Sequence, residues 1–145
     1  MKDEVFLNII NFAIEREIEA AELYAAMQEK ADSPAIKNLL IELEAMEVVH
    51  IEGLTQLIND KGLSSENKGA DSIQFSDYVI EASESNDFKE TLKTAILREE
   101  KSSFFYSNLA GKYLDEKLKS LFLSLSKEEA EHKKMLENIY YSEAE

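Results

Sequence analysis

Both histidines of this 145-residue chain stand three residues after a glutamate, in Glu47-Val-Val-His50 and Glu129-Ala-Glu-His132. On a helix, side chains three apart share a face. Each pair can therefore offer one carboxylate and one imidazole to a single ion. Those donors suit iron or manganese, with zinc as an alternative. A single pair of this kind carries little weight, because an acidic helix produces many and most are solvated. What singles these two out is their setting.

Shifting the sequence by 82 residues lays it on itself without a gap. Residues 13–54 match 95–136 at 12 of 42 positions. Ala13-Ile14-x-Arg16-Glu17 falls on Ala95-Ile96-x-Arg98-Glu99, Tyr24 on Tyr106, Leu43 on Leu125, and Glu47-x-x-His50 on Glu129-x-x-His132. Such self-similarity marks a duplicated supersecondary unit. Each copy contributes one further glutamate, Glu17 or Glu99, upstream of its Glu-x-x-His.

The elements that must position these residues are helices. Ala, Leu, Glu and Lys dominate, Gly and Pro total five, and 44% of residues are apolar, a composition too apolar for disorder and too poor in turn formers for an all-β fold. Each copy reads as a helical hairpin. The first helix is predicted over Asp3 to Ala31. Ser33-Pro34 then gives an N-cap and a proline at the first helical position, opening a second helix that runs to Asp60, with Gly62 closing it. The third helix starts at Phe88, where Asp87-x-x-Glu90 has the form of a capping box, and ends near Tyr113. Asp115 caps a fourth, from Glu116 to Tyr141. Between the hairpins, residues 61–86 form a loop with a short helix at Phe75–Ala82. A connection of that length can climb the full height of a bundle.

Each helix presents one stripe suited to a bundle core, with spacings of three and four. The stripes are Phe6, Ile10, Ala13, Glu17, Ala20, Tyr24, Met27; then Ile36, Leu40, Leu43, Glu47, His50, Leu54, Leu57; then Leu92, Ala95, Glu99, Ser102, Tyr106, Leu109; and Leu118, Phe122, Leu125, Glu129, His132, Leu136, Ile139. All four turn polar at mid-height. Measured along the helices from the Asp32–Ser33 turn, Glu17 and the Glu47–His50 midpoint both lie roughly 23 Å away at about 1.5 Å per residue. Four buried carboxylates repel one another, and each costs several kcal/mol to desolvate. Two divalent cations neutralise them. The expected site is therefore a pair of metal ions held by Glu17, Glu47, His50, Glu99, Glu129 and His132.

The remaining composition narrows the function. The 30 acidic and 16 basic residues give a net charge of −14, which opposes binding to nucleic acid or an anionic membrane. With no cysteine, there is no disulfide, thiol nucleophile, Cys-ligated zinc or iron–sulfur cluster. The N-terminus lacks a signal-peptide pattern, and no apolar run reaches a membrane-spanning length. A soluble cytoplasmic protein, one domain over residues 1–145, is expected.

A glutamate from each of two helices plus Glu-x-x-His from each of the other two is the di-metal carboxylate pattern. Over roughly Asn8 to Tyr140 the chain resembles the rubrerythrins and related ferritin-like di-iron proteins. The resemblance implies an all-α, antiparallel four-helix bundle with a long crossover between the second and third helices. It also implies two iron ions, bridged by Glu47 and Glu129. Glu17 and Glu99 would be terminal ligands, each histidine would bind one metal, and Tyr24 and Tyr106 would hydrogen-bond the ligand carboxylates. Two departures stand out. The cysteine-bearing rubredoxin-like domain typical of rubrerythrins is missing, so electrons would come from an external donor. Where many rubrerythrins carry an extra glutamate ligand, one turn after Glu99, this chain has Ser102. The implied activity is an oxidoreductase reducing hydrogen peroxide or dioxygen, with iron binding and ferroxidase chemistry as the alternative. A homodimer is the assembly implied by similar proteins.

Overall fold

The computed structural model describes residues 3–81 and 87–144. Four long helices carry it: α1 (Glu4–Gln28), α2 (Pro34–Asn59), α3 (Phe88–Lys112) and α4 (Glu116–Ala144). Their starts follow from side-chain caps. Asp3, Ser33 and Asp87 accept from the backbone N–H groups of Phe6, Ile36 and Glu90, and Asp115 Oδ1 accepts from Leu118 N at 3.1 Å. Each satisfies a donor that the first helical turn leaves unpaired. The first helix ends at Gln28, short of the expected Ala31, while the fourth runs three residues past the expected Tyr141.

Helices α1 and α2 form one hairpin, α3 and α4 the other, and the hairpins meet through α1 against α3 and α2 against α4. Both meetings are antiparallel. Tyr24 reaches Glu99 while Tyr106 reaches Glu17, and His50 faces Glu129 while His132 faces Glu47. With this geometry α2 ends at the opposite end of the bundle from where α3 begins. The crossover has to climb the bundle, which is the ferritin-like arrangement.

Its path is well anchored. Ser64 N donates to Asp115 Oδ2 at 2.9 Å, and Lys68 N donates to Lys112 O at 2.7 Å. Gly69 adopts φ +78°, a left-handed conformation that suits glycine. Phe75 stacks on Phe12 with centroids 4.3 Å apart, and Tyr78 packs edge-on against Phe105. Higher up, Lys101 and Arg98 donate to the carbonyls of Asp77 and Ile80. The short helix expected at Phe75–Ala82 is only a 3-10 turn at Phe75–Tyr78, with a second such turn at Ala70–Ser72. Val79 continues in extended form, as β-branched side chains favour; Ala82 lies outside the described residues.

The core follows the predicted stripes, with Ile36 and Ser102 only partly buried. It falls into two apolar clusters. The one nearer the start of α1 contains Phe6, Leu54, Tyr113, Leu118 and Phe122; the other contains Tyr24, Met27, Leu40, Leu92 and Leu136. Between them lies a layer of charge.

Candidate metal centre

All six sequence-predicted residues meet in that layer. Glu17, Glu47, Glu99, Glu129 and His132 are at most 2% exposed, and His50 is 5% exposed. The helices deliver them in two sets. Glu17, Glu47, His50 and Glu129 bring one ligand atom each within 4.8 Å of one another, and so do Glu47, Glu99, Glu129 and His132. Glu47 and Glu129 belong to both sets.

The imidazoles enter by their Nδ1 atoms. His50 Nδ1 lies 2.9 Å from Glu129 Oε1 and 3.5 Å from Glu17 Oε2. His132 Nδ1 lies 3.0 Å from Glu47 Oε1 and 3.4 Å from Glu99 Oε2. The rings are nearly parallel, 14° apart, with centroids 6.0 Å apart. Two tyrosines hold the outer carboxylate oxygens. Tyr24 Oη donates to Glu99 Oε1 at 2.5 Å, and Tyr106 Oη donates to Glu17 Oε1 at 2.7 Å. Each bond crosses from one hairpin to the other and leaves the Oε2 atom turned toward the centre.

Protonation shows how much the layer needs positive charge. Burial, reinforced by the charges of Glu99 and Glu17, pushes the Glu47 and Glu129 carboxyls well above the usual carboxylate range. Burial acts the same way on Glu17, but contacts with Glu47, His50 and Tyr106 outweigh it and hold its pKa down. Burial opposes charge on the imidazoles too, yet the carboxylates around them raise His50 to about 10 and His132 to about 9. Burial and neighbouring carboxylates, Glu99 for Tyr24 and Glu17 for Tyr106, raise both phenols. Both therefore remain hydrogen-bond donors at neutral pH.

The donor set fits a metal pair. Glu17 Oε2, Glu47 Oε2, His50 Nδ1, Glu99 Oε2 and Glu129 Oε1 are all buried and make no aligned hydrogen bond. Buried polar atoms are nearly always paired, so five such atoms converging in one layer indicate cations as the natural partners. Four carboxylates and two imidazoles suit first-row divalent ions.

Three features around the layer went unread in the sequence. Glu128 Oε2 approaches His50 Nε2 at 3.4 Å. Glu19 pairs with both Arg16 and Arg98, at 3.0 and 2.7 Å, tying α1 to α3 beside the site. The crossover roofs that seam. The repeat already aligned the two arginines, but their shared partner could be found only once α1 and α3 were known to be neighbours.

A ferritin-like bundle with a buried, doubly shared carboxylate–histidine layer defines a class of two-metal helical proteins. Within it, the Rubrerythrin family model matches residues 8–140, and the chain belongs to that family. No curated protein and no solved structure matches the chain.

Proposed function

We propose that this protein is a di-iron oxidoreductase that reduces hydrogen peroxide or dioxygen with electrons from a separate donor. The observation that carries this reading is the pair of buried ligand sets sharing Glu47 and Glu129. Glu17 and His50 would complete the holding of one ion, Glu99 and His132 that of the other. When bound, an iron pair supplies the two electrons that convert hydrogen peroxide and two protons into two waters. Tyr24 and Tyr106 hold Glu99 and Glu17 in place, and the apolar clusters on either side keep bulk water out. These 145 residues contain no cysteine, so a Cys-bound iron that relays electrons would lie outside them. A homodimer is the proposed assembly.

The test has two stages. Elemental analysis of protein purified without chelator should give about two metals per chain, and Glu47→Ala and His132→Ala should each lower that content; full metal in both variants would refute the ligand assignment. Iron-loaded protein supplied with a reductant should then consume peroxide faster than free iron does. No turnover above free iron would refute the oxidoreductase reading. Oxidation of added iron(II) in a large assembly, without continuing use of reductant, would identify iron handling instead.

A further inference from the structure

The two ligand sets match closely on their inner sides and differ on their outer ones. His50 turns Nε2 toward Glu128 Oε2, 3.4 Å away on a carboxylate that is 39% exposed. His132 turns its Nε2 into the protein, where the atom is buried and makes no hydrogen bond. Eighty-two residues before Glu128, at the repeat-related place, stands Met46. A thioether is at best a weak acceptor and carries no charge.

We propose that Glu128 is a positioning residue that makes the two metal positions unequal, so that a divalent ion binds more tightly in the Glu17–His50 set than in the Glu99–His132 set. This rests on the two-metal reading above. An imidazole that binds metal through Nδ1 must carry its proton on Nε2. For His50, Glu128 stands ready to accept that proton's hydrogen bond. A carboxylate there fixes the tautomer, orients the ring and makes Nδ1 a stronger donor, and losing such a partner typically costs about 10–100-fold in metal affinity. For His132, the same tautomer leaves a buried N–H without an acceptor, which opposes binding. The shared ligands Glu47 and Glu129 cannot create the difference, since each serves both ions, and Tyr106–Glu17 and Tyr24–Glu99 are equivalent bonds. On the Nδ1 side the sets differ in detail: His50 also lies 3.8 Å from Glu47 Oε2, and His132 makes an aligned hydrogen bond with Glu47 Oε1. Among the described residues, Glu128 is the one charged group that faces an Nε2 atom.

Metal-free protein titrated anaerobically with Co2+ alone, followed by calorimetry and visible absorption, should bind two equivalents in two steps about 10–100-fold apart. In crystals with one equivalent, anomalous scattering should place the ion in the Glu17–His50 set. Glu128→Ala should bring the first step down toward the second, while the metal-free variant keeps its helical circular dichroism. Met46→Glu should strengthen the second step. Two bridging carboxylates could by themselves separate the steps through repulsion between ions, but such a separation would survive Glu128→Ala. Unchanged affinities in Glu128→Ala, or a first ion spread evenly or seated with His132, overturns the proposal and leaves the two-metal reading standing. Failure of the wild-type protein to bind either equivalent overturns both.

Discussion

The phenol of Tyr106 and the carboxylate of Glu17 come from different hairpins, and so do Tyr24 and Glu99. Each bond fixes one oxygen of a carboxylate and leaves the other facing the layer. Removing the hydroxyl frees the carboxylate to rotate without making a large cavity. Tyr24→Phe and Tyr106→Phe should each weaken metal retention about 10–100-fold in a chelator competition; undiminished retention would show that the tyrosines only pack. The same residues set the pH response of the metal-free protein. His50 and His132 have folded pKa values of about 10 and about 9, above the ordinary 6.5, and Glu47 and Glu129 are raised too. For groups raised on folding, the stabilisation is fully present below the unfolded pKa and is lost as pH climbs through the folded one. Glu17, which is lowered, works the other way, but its window lies below its ordinary 4.5. Between pH 6.5 and 10 the metal-free melting temperature should therefore fall. Metal binding displaces those protons, so affinity should rise over the same range. Thermal melts with and without chelator at several pH values decide it; a metal-free melting temperature that is flat or rising with pH would contradict the assignment.

At the scale of elements, the crossover is the part that the sequence described least well. The helices could be read because their signals are local: three-and-four spacing, a cap before α2, α3 and α4, a proline at the start of α2. The six residues of the layer could be read because the 82-residue repeat and equal distances from the turn are also counts along the chain. The burial of Phe12 and Phe105 could not, since it depends on which segment lies over the α1–α3 seam. Phe12 is stacked under Phe75, and Phe105 meets Tyr78 edge-on; neither contact leaves a periodic trace. Likewise Glu128 looks like one more acidic residue until α2 and α4 are placed antiparallel. If the crossover is a structural strap, Phe75→Ala should destabilise the fold by about 1–2 kcal/mol, the value for losing roughly half the burial of a large apolar side chain. Chemical denaturation measures this. A change below about 0.5 kcal/mol, the range of ordinary surface substitutions, would mean that the stacking adds nothing to global stability.

At the scale of the whole molecule, the charged layer interrupts the core. Two apolar clusters lie on either side of it, and the six ligand candidates come from all four helices. Without cations, the layer must hold protons on groups that would ionise in water, and this sets the metal-free state against the rest of the fold. With cations held as proposed, each ion would join side chains from both hairpins through Glu47 and Glu129, and binding and hairpin association would become one event. Ligands that bind only the folded state stabilise it by about 2.7 kcal/mol each at a hundredfold excess over Kd, or about 5 kcal/mol for two. At about 2–4 °C per kcal/mol for chains of this length, chelation should lower the melting temperature by roughly 10–20 °C. The drop should reverse on adding metal back and should be smaller in Glu47→Ala, which removes a residue shared by both ligand sets. The two apolar clusters should keep the chelated protein folded at room temperature, with helical circular dichroism intact. Equal melting temperatures with and without chelator, in protein shown by elemental analysis to have lost its metal, would mean that the layer is held together by its own protons and that metal does not join the two hairpins.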